Sequence, residues 1–270
     1  MNKYQLTRSS RKSLSICIER DGTVRVKAPT WLPKSQIDQF VQKKSAWIEQ
    51  KRTEVRALEQ RRISHTFQEG DRFAFLGQEY RLQIRQLLSQ KEDSRMEIAL
   101  ESVIWESPAQ EGSALGSFAP ERAILRKNEK ILSVTLPSAN ASEVKAQLER
   151  WYLLQAKKIF PERVAVFYPM VAKLASAAAP NGIGAVNRIT IRSQKTRWGS
   201  CSSKGNLNFN WRLLMAPLDI LDYVVVHELC HLAYLNHSPQ FWQLVGDILP
   251  DYSQCRRWLR ENGMLLQWEE

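Results

Sequence analysis

Three of the four histidines in the chain lie within eleven residues, at positions 227, 231 and 237. The first two belong to the run His-Glu-Leu-Cys-His, in which Glu228 directly follows the first histidine. If this run is helical, imidazoles four residues apart project from one face and can reach a single metal ion. The spacing therefore predicts a zinc site with His227 and His231 as ligands.

Glu228 follows about 100° further round such a helix, so it borders the ligand face without ligating. It is the only formally charged side chain at neutral pH between Tyr223 and Leu235, a run that is otherwise mostly apolar. A carboxylate there is costly unless it is paired or works beside a metal ion. We expect Glu228 to act as the general base towards a water molecule at the zinc ion.

An open catalytic zinc site needs a third protein ligand. We expect His237, because it lies six residues after His231 and Asn236 can take the left-handed conformation that ends a helix. The elongated zinc motif with the same interval has Gly where this chain has Tyr234, so the turn must differ. Carboxylates of later helices are the alternative third ligands, namely Asp247, Asp251 and Glu261.

Three protein ligands leave one position for water, whose pKa zinc can lower to about 7. Such an open site is typical of a hydrolase. Histidines satisfied within a core, or a closed structural zinc site, are the alternatives.

The histidine run requires a helix, which we predict over residues 217–235. A helix capped by a serine follows over 238–248, and another over 251–262. Ahead of them, alternating apolar residues predict a β-hairpin over 188–213 whose second face is rich in amides.

The first half of the chain is predicted to be mostly β. Alternating apolar residues predict β segments at 14–26, 73–84, 96–105 and 131–136. Helical spacing predicts long helices at 37–62 and 142–160, the latter followed by a second helix that starts at Pro161. The predicted fold class is α+β, with a β-rich N-terminal region at 1–137 and a second domain at 138–270.

Composition excludes several protein classes. The 270 residues are 43% hydrophobic with only 11 Gly and 11 Pro, which excludes collagen, mucin-like stalks and wholly disordered chains. No run of about 18 apolar residues and no secretory signal is present, so we expect a cytoplasmic protein that does not bind membranes. The four cysteines form no CxxC pair and are expected to be reduced thiols.

Positive charge is unevenly distributed in this chain of net charge +11. Residues 1–62 hold 15 basic and 6 acidic side chains, and residues 163–218 hold 8 basic and no acidic ones. Basic surfaces attract polyanions by a screened field, so the N-terminal region is a candidate for weak binding of nucleic acid or other polyanions. A basic protein without an anionic partner is the alternative.

Several motifs together resemble the YgjP-like metal-dependent hydrolases, which are predicted zinc metallopeptidases similar in their core to the SprT-like zinc proteases. The motifs are Arg197-Trp198-Gly199-Ser200-Cys201, the run from Asp222 to His231, Asn236-His237-Ser238-Pro239 with Phe241-Trp242, and the earlier Arg11-Lys12-Ser13, Trp47-Ile48 and Leu76-Gly77 with Tyr80. Residues 86–125 and 177–184 match nothing in this resemblance. The resemblance implies a zincin-like catalytic domain in which the three histidines are ligands and Glu228 is the base, and it leaves the substrate open.

Residues of the hairpin before the histidine run are candidates for substrate binding, because HExxH peptidases commonly offer an edge strand there to an extended substrate. Arg197, beside Trp198, is a candidate for binding a carboxylate or phosphate, with help from Arg192. Bracing of the hairpin against the helices is the alternative role. Polarising the scissile carbonyl needs a further donor, for which Tyr234, Tyr252 and Arg197 are candidates.

The function we expect is a zinc-dependent (Zn²⁺) metallopeptidase acting on peptides or proteins. A zinc-dependent hydrolase of nucleotides or other non-peptide substrates stays open, because residues 163–218 are basic and free of acids. A basic nucleic-acid-binding protein with structural zinc also stays open, because of the charge of residues 1–62, although no established nucleic-acid motif is present.

Overall fold

The computed structural model describes residues 3–19, 21–61, 64–86, 98–101, 130–136, 140–178, 183–194 and 197–268. Helices and strands are mixed along the chain, which confirms the predicted α+β class. The chain divides into two units, one formed by residues up to 64 with 260–268, the other by 65–259. The domain boundary predicted near residue 137 falls on residues outside the described ones and stays a prediction.

The first unit is built on a three-stranded sheet in the order β1-β3-β2. Its strands are β1 (Gln5–Ser9), β2 (Ser15–Ile18) and β3 (Val24–Pro29). β2 and β3 form the predicted hairpin, and β1 pairs in parallel with β3. β1 was not predicted, because Leu6 is the one apolar residue in it.

Two helices, α1 (Lys34–Lys43) and α2 (Ser45–Gln60), cover one face of this sheet. The prediction of a single helix over 37–62 was wrong, since the backbone at Lys44 leaves the helical region with φ −100° and ψ 10°. The apolar spacing continues on both sides of that bend and does not reveal it. The core between sheet and helices comprises Val24, Val26, Ala28, Ile37, Val41 and Ile48.

The second unit begins with a four-stranded sheet in the order β4-β5-β7-β6. Its strands are β4 (Arg72–Phe75), β5 (Gln78–Gln86), β6 (Ile98–Glu101) and β7 (Ile131–Leu136). The predicted hairpin is present, with Leu76 and Gly77 both at positive φ in its turn. The Leu76 N–H donates to the carbonyl of Leu214 over 2.6 Å, so this turn supports the segment that leads into the histidine helix.

Helix α3 (Ala141–Ala178) is continuous for 38 residues and passes through Pro161 and Pro169. The prediction of two helices divided at Pro161 was therefore wrong. A proline removes one helical hydrogen bond and crowds the preceding turn. Burial of neighbouring Phe160 and Val164 against the rest of the unit holds the chain helical, and the Phe160 ring stacks on Phe209 at 4.6 Å.

A third sheet lies next to this helix, with strands β8 (Arg188–Arg192), β9 (Gly199–Cys201) and β10 (Asn206–Asn210) in the order β8-β10-β9. β9 and β10 form an antiparallel pair, whereas β8 pairs in parallel with β10 on its other side. The prediction of one hairpin over 188–213 thus held only for its second half, and a 3₁₀ helix at Trp211–Met215 replaces the expected end of the strand.

The remaining helices are α4 (Leu218–Cys230), α5 (Pro239–Ile248) and α6 (Tyr252–Asn262), followed by a 3₁₀ turn at Gly263–Leu266. α5 begins as predicted, with the Ser238 hydroxyl accepting the Phe241 N–H. α4 ends at Cys230 and not near 235, because the N–H groups of Ala233 and Tyr234 both turn back to the Cys230 carbonyl. None of the described helices contains a stretch both long and apolar enough to cross a membrane.

Candidate metal centre

His227 in helix α4 and His231, the residue that directly follows the helix, lie on one face. The chain beyond the helix turns back so that His237 lies beside them. The Nε2 atoms of His227 and His237 lie 3.1 Å apart, and one ligand nitrogen from each of the three residues lies within 4.8 Å of the others. Tetrahedral zinc bonded to nitrogen at about 2.1 Å requires nitrogens about 3.4 Å apart. The three imidazoles therefore fit one such ion.

The early end of α4 also orients His231. Its Nδ1 lies 2.9 Å from the backbone oxygen of Tyr234. A carbonyl oxygen can only accept a hydrogen bond. The hydrogen is thus on Nδ1, and Nε2 keeps its lone pair for a metal ion.

Aromatic rings from α5 surround the imidazoles. Phe241 is fully buried and its centroid lies between 4.6 and 5.0 Å from all three histidine rings, while Trp242 stacks on His237 at 5.5 Å. Burial, together with smaller effects of the neighbouring His231 and His237, lowers the pKa of His227 to about 3. His227 is therefore neutral at pH 7, as a ligand must be.

Glu228 points from α4 towards strand β9 and is 5% exposed. Its carboxylate accepts the backbone N–H of Cys201, and a β-carbon at Gly199 would lie 2.6 Å from its Oε1 atom. Burial raises the pKa of Glu228 to about 8, opposed by the charge of Arg197 and by the Cys201 hydrogen bond.

A buried ion pair fastens α4 to α3. Arg163 donates from Nε and Nη2 to the two carboxylate oxygens of Asp222, over 2.7 and 2.8 Å. Burial raises the pKa of Asp222, and the hydrogen bonds and charge of Arg163 oppose that rise. This bidentate geometry sets the position of α4 five residues before His227.

Asn210, 2% exposed at the end of β10, holds the loop that carries Arg197 and Trp198. Its amide nitrogen donates to the carbonyls of Gln194 and Arg197 over 2.7 and 3.2 Å, and its oxygen accepts the Arg212 N–H. From the sequence only an amide-rich strand face could be predicted. The hydrogen-bond partners of Asn210 lie in a loop, where no regular spacing of residues reveals them.

The predicted substrate-binding residues differ in their placement. Arg197 is exposed and its charge acts on Glu228, and Trp198 is half-buried beside it. Arg192 lies opposite Asn210, on the sheet face away from Gly199 and Glu228, and its Nε is 3.4 Å from Asn208. The structure therefore does not bring Arg192 to the candidate centre.

The two predicted tyrosines lie on either side of α5. Tyr234 lines a cavity with Pro239, and its carbonyl orients His231. Tyr252 stacks on Trp242 at 5.4 Å, so the rings of His237, Trp242 and Tyr252 form a continuous stack.

The alternative carboxylate ligands have other partners. Gln243 donates to Asp247 over 2.7 Å, Gln254 donates to Asp251 over 2.9 Å, and Glu261 lies 3.8 Å from Arg260. In the described part of the chain, the group of side chains able to hold a metal ion contains the three histidines and none of these carboxylates.

Sequence reasoning missed Arg256 and Tyr223. The guanidinium of Arg256 lies 4.8 Å over the Trp242 ring, and its charge contributes to lowering the pKa of His227. The Tyr223 ring lies 5.8 Å from the His227 ring, and burial raises the pKa of Tyr223 to about 12. One signal was available for Arg256, because it lies four residues after Tyr252 on the same face of α6.

Comparison with known proteins gives one family. A family model described as YgjP-like, metallopeptidase domain, matches residues 12–262. No curated protein matches the chain. Among solved structures, the chain is similar to the crystal structure of the metallopeptidase zymogen of Pyrococcus abyssi abylysin, with 20% identity and a TM-score of 0.30 over 40% of this chain and 99% of that one.

Proposed function

The chain belongs to the YgjP-like family of metallopeptidase domains, and from this membership we propose that it is a zinc-dependent peptidase that hydrolyses peptide bonds of peptides or proteins. The observation that carries the proposal is the cluster of three imidazoles next to the buried carboxylate of Glu228. A metallopeptidase needs both parts, a metal site with an open position and a base beside it.

Zinc is the metal we assign, because three neutral imidazoles are the donor set of known catalytic zinc sites. His227, His231 and His237 would hold it. When bound, zinc would supply a Lewis acid that acidifies water and polarises the substrate carbonyl.

Glu228 moves the proton in this proposal. Its carboxylate accepts a proton from the attacking water as the oxygen bonds to the carbonyl carbon. It then donates that proton to the amide nitrogen as the carbon–nitrogen bond breaks.

Strand β9 is our candidate for binding the substrate chain, because it is an edge strand of the β8-β10-β9 sheet. An extended peptide can add to such an edge through main-chain hydrogen bonds. Gly199 of β9 lies against Glu228, so a peptide paired there would pass close to the base. The exposed guanidinium of Arg197 is our candidate for binding a carboxylate of that peptide.

Arg256 and Tyr252 are our candidates for stabilising charge on the carbonyl oxygen. Both lie against Trp242, whose ring stacks on His237. Donors aimed at a developing oxyanion stabilise the transition state more than the bound substrate.

The test is turnover by zinc-loaded protein on a panel of fluorogenic peptides and, in parallel, on a panel of nucleotides. We expect peptide cleavage, and we expect Glu228→Gln to reduce it by at least about 100-fold while zinc content is retained. Nucleotide hydrolysis that requires Glu228, with every peptide left intact, would replace the peptidase by a hydrolase of non-peptide substrates.

A further inference from the structure

A groove runs between strand β1 and helix α1 in the first unit. Its volume is about 480 Å³, and one wall is formed by Leu6 of β1 with Lys3 and Tyr4, which precede the strand. The helix wall contains Lys34, Asp38 and Val41, at intervals of four and three residues, which place them along one face of α1 with Gln42 beside it. The groove thus has one wall of extended backbone and one wall of helix.

β1 forms the open edge of the β1-β3-β2 sheet. The carbonyl of Ser9 accepts the Thr30 N–H, so the backbone groups of Ser9 point towards β3. Backbone N–H and C=O groups alternate sides along a strand, so those of Leu6 and Arg8 point away from β3, at the open edge. Such an edge can pair with another extended chain.

The floor and rim of the groove differ in character. Leu6 is half-buried and Val41 is 4% exposed, so the floor is apolar. Lys3 and Lys34 are exposed at the rim. The lining carboxylate, Asp38, already accepts hydrogen bonds from the Tyr4 hydroxyl and from Lys34.

Charge selects the occupant, because residues 1–62 carry 15 basic and 6 acidic side chains. An acidic segment is attracted by this field and a basic one is repelled. An apolar side chain of the occupant can contact the half-buried Leu6 on the floor. A peptide backbone, unlike a phosphodiester, has the N–H and C=O groups that can pair with β1.

We propose that this groove binds an extended segment of a partner protein, with acidic residues flanking an apolar side chain, as an added strand on the edge of β1. The site shares no residue with the histidine cluster. Its existence is therefore independent of the proposed peptidase activity.

The first experiment uses the full chain with the substitution Glu228→Gln, so that a bound peptide is not cleaved. Fluorescence anisotropy would measure three fluorescein-labelled probes: a peptide of about ten residues with Leu-Val between glutamates, its lysine counterpart, and an oligothymidylate of equal charge. We expect the acidic peptide to bind at least about tenfold more tightly than the other two at physiological salt. Equal binding of the oligothymidylate would overturn the proposal, because ionic attraction alone would then account for it.

Variants on α1 locate the site. Lys34→Glu reverses a rim charge and Gln42→Trp fills the groove, and both residues are exposed, so the fold is retained. Lys43→Glu is the matched control, because Lys43 lies about 180° round α1 from Lys34. We expect the first two to weaken peptide binding at least about fivefold and the control by less than about twofold. Equal losses in Lys34→Glu and Lys43→Glu would overturn the site.

Amide hydrogen exchange tests the added strand directly. We expect the bound acidic peptide to protect the amides of Leu6 and Arg8, which point to the open edge. Unchanged exchange at both amides would overturn strand addition. Sedimentation of the peptide-free protein as a dimer that acidic peptide does not dissociate would assign the edge to a second copy instead, and would also overturn the proposal.

Discussion

At Gly199 a side chain is excluded by Glu228, since a β-carbon there would lie 2.6 Å from the carboxylate oxygen and 2.7 Å from Cγ. A buried carboxylate cannot yield easily, because α4 and β9 enclose it. Gly199, the glycine in the Arg-Trp-Gly-Ser-Cys motif, therefore positions Glu228, the proposed base.

Substituting Gly199→Ala should displace Glu228 or β9 by a fraction of an ångström. We expect peptidase activity to fall by about 100-fold, because small displacements of a reacting group have that effect. Zinc content should be unchanged, since no ligand is touched. Activity would be measured as kcat/KM, with metal content by atomic absorption, and full activity in this variant would remove the positioning role.

The ligand assignment predicts a clear difference between His237→Ala and Asp247→Asn. Loss of His237 leaves two imidazoles, so zinc affinity should fall by at least about tenfold, a loss already typical of outer-shell changes. Asp247→Asn should change affinity by less than this factor, because Asp247 is bonded to Gln243. Competition with a chromogenic chelator measures both. Weak binding by Asp247→Asn alone would assign the third ligand to the carboxylate.

The raised pKa of Glu228 predicts a pH dependence of stability in the metal-free protein. Its pKa is about 8 in the folded chain against an ordinary 4.5, so the folded state holds the proton more tightly. The resulting stabilisation is complete below pH 4.5 and is lost as pH rises through 8. The free energy of unfolding should therefore fall with pH, by up to about 1.4 kcal/mol per unit.

Urea unfolding in a chelator, from pH 5 to pH 9, would measure this decline. The Glu228→Gln variant should lack it, while contributions from other groups, including His227 with its lowered pKa, are common to both proteins. Parallel stability curves for the two proteins would show that Glu228 does not carry a raised pKa.

Among the elements, α4 depends on α3 through the bidentate pair of Arg163 and Asp222, in which Asp222 is 8% exposed. α3 in turn packs on the inner face of the third sheet through the stacked Phe160 and Phe209 rings. The ligand-bearing helix α4 is therefore held by buried contacts with α3, an element distant from it in the sequence.

Removing one partner of this pair should be costly. We expect Arg163→Met to lower the free energy of unfolding by about 3–5 kcal/mol, because it leaves a buried carboxylate without its cation. Lys51→Gln, which breaks the partly exposed pair with Glu54 on α2, should cost less than about 1 kcal/mol. Denaturant unfolding compares the two variants. Similar small losses would mean that the Arg163 pair does not hold α4.

For the whole molecule, a metal ion that binds only the folded chain must raise its stability. Zinc at about 1,000 times its dissociation constant should stabilise the protein by about 4 kcal/mol, and a chelator should remove that gain. The His231→Ala variant should show no zinc-dependent shift. Thermal unfolding with and without zinc is the measurement, and an equal shift in that variant would place the ion elsewhere.

Local features of the fold could be read from the sequence alone. The four-residue spacing of His227 and His231, the Ser238 cap of α5 and the two N-terminal hairpins all arise from neighbours along the chain. Helical and extended periods, and the preferences of capping residues, depend on the few residues around them. They are therefore visible without any knowledge of the fold.

Other features were decided by tertiary structure. β8 lies on the far side of β10, α3 continues through Pro161, and α4 ends at Cys230 so that His237 can return to the cluster. Each depends on which distant segment a residue packs against, and periodicity carries no information about that. Gly199 against Glu228 and Arg256 near His227 belong to the same class, because contacts between residues distant in the chain are set by packing and not by spacing.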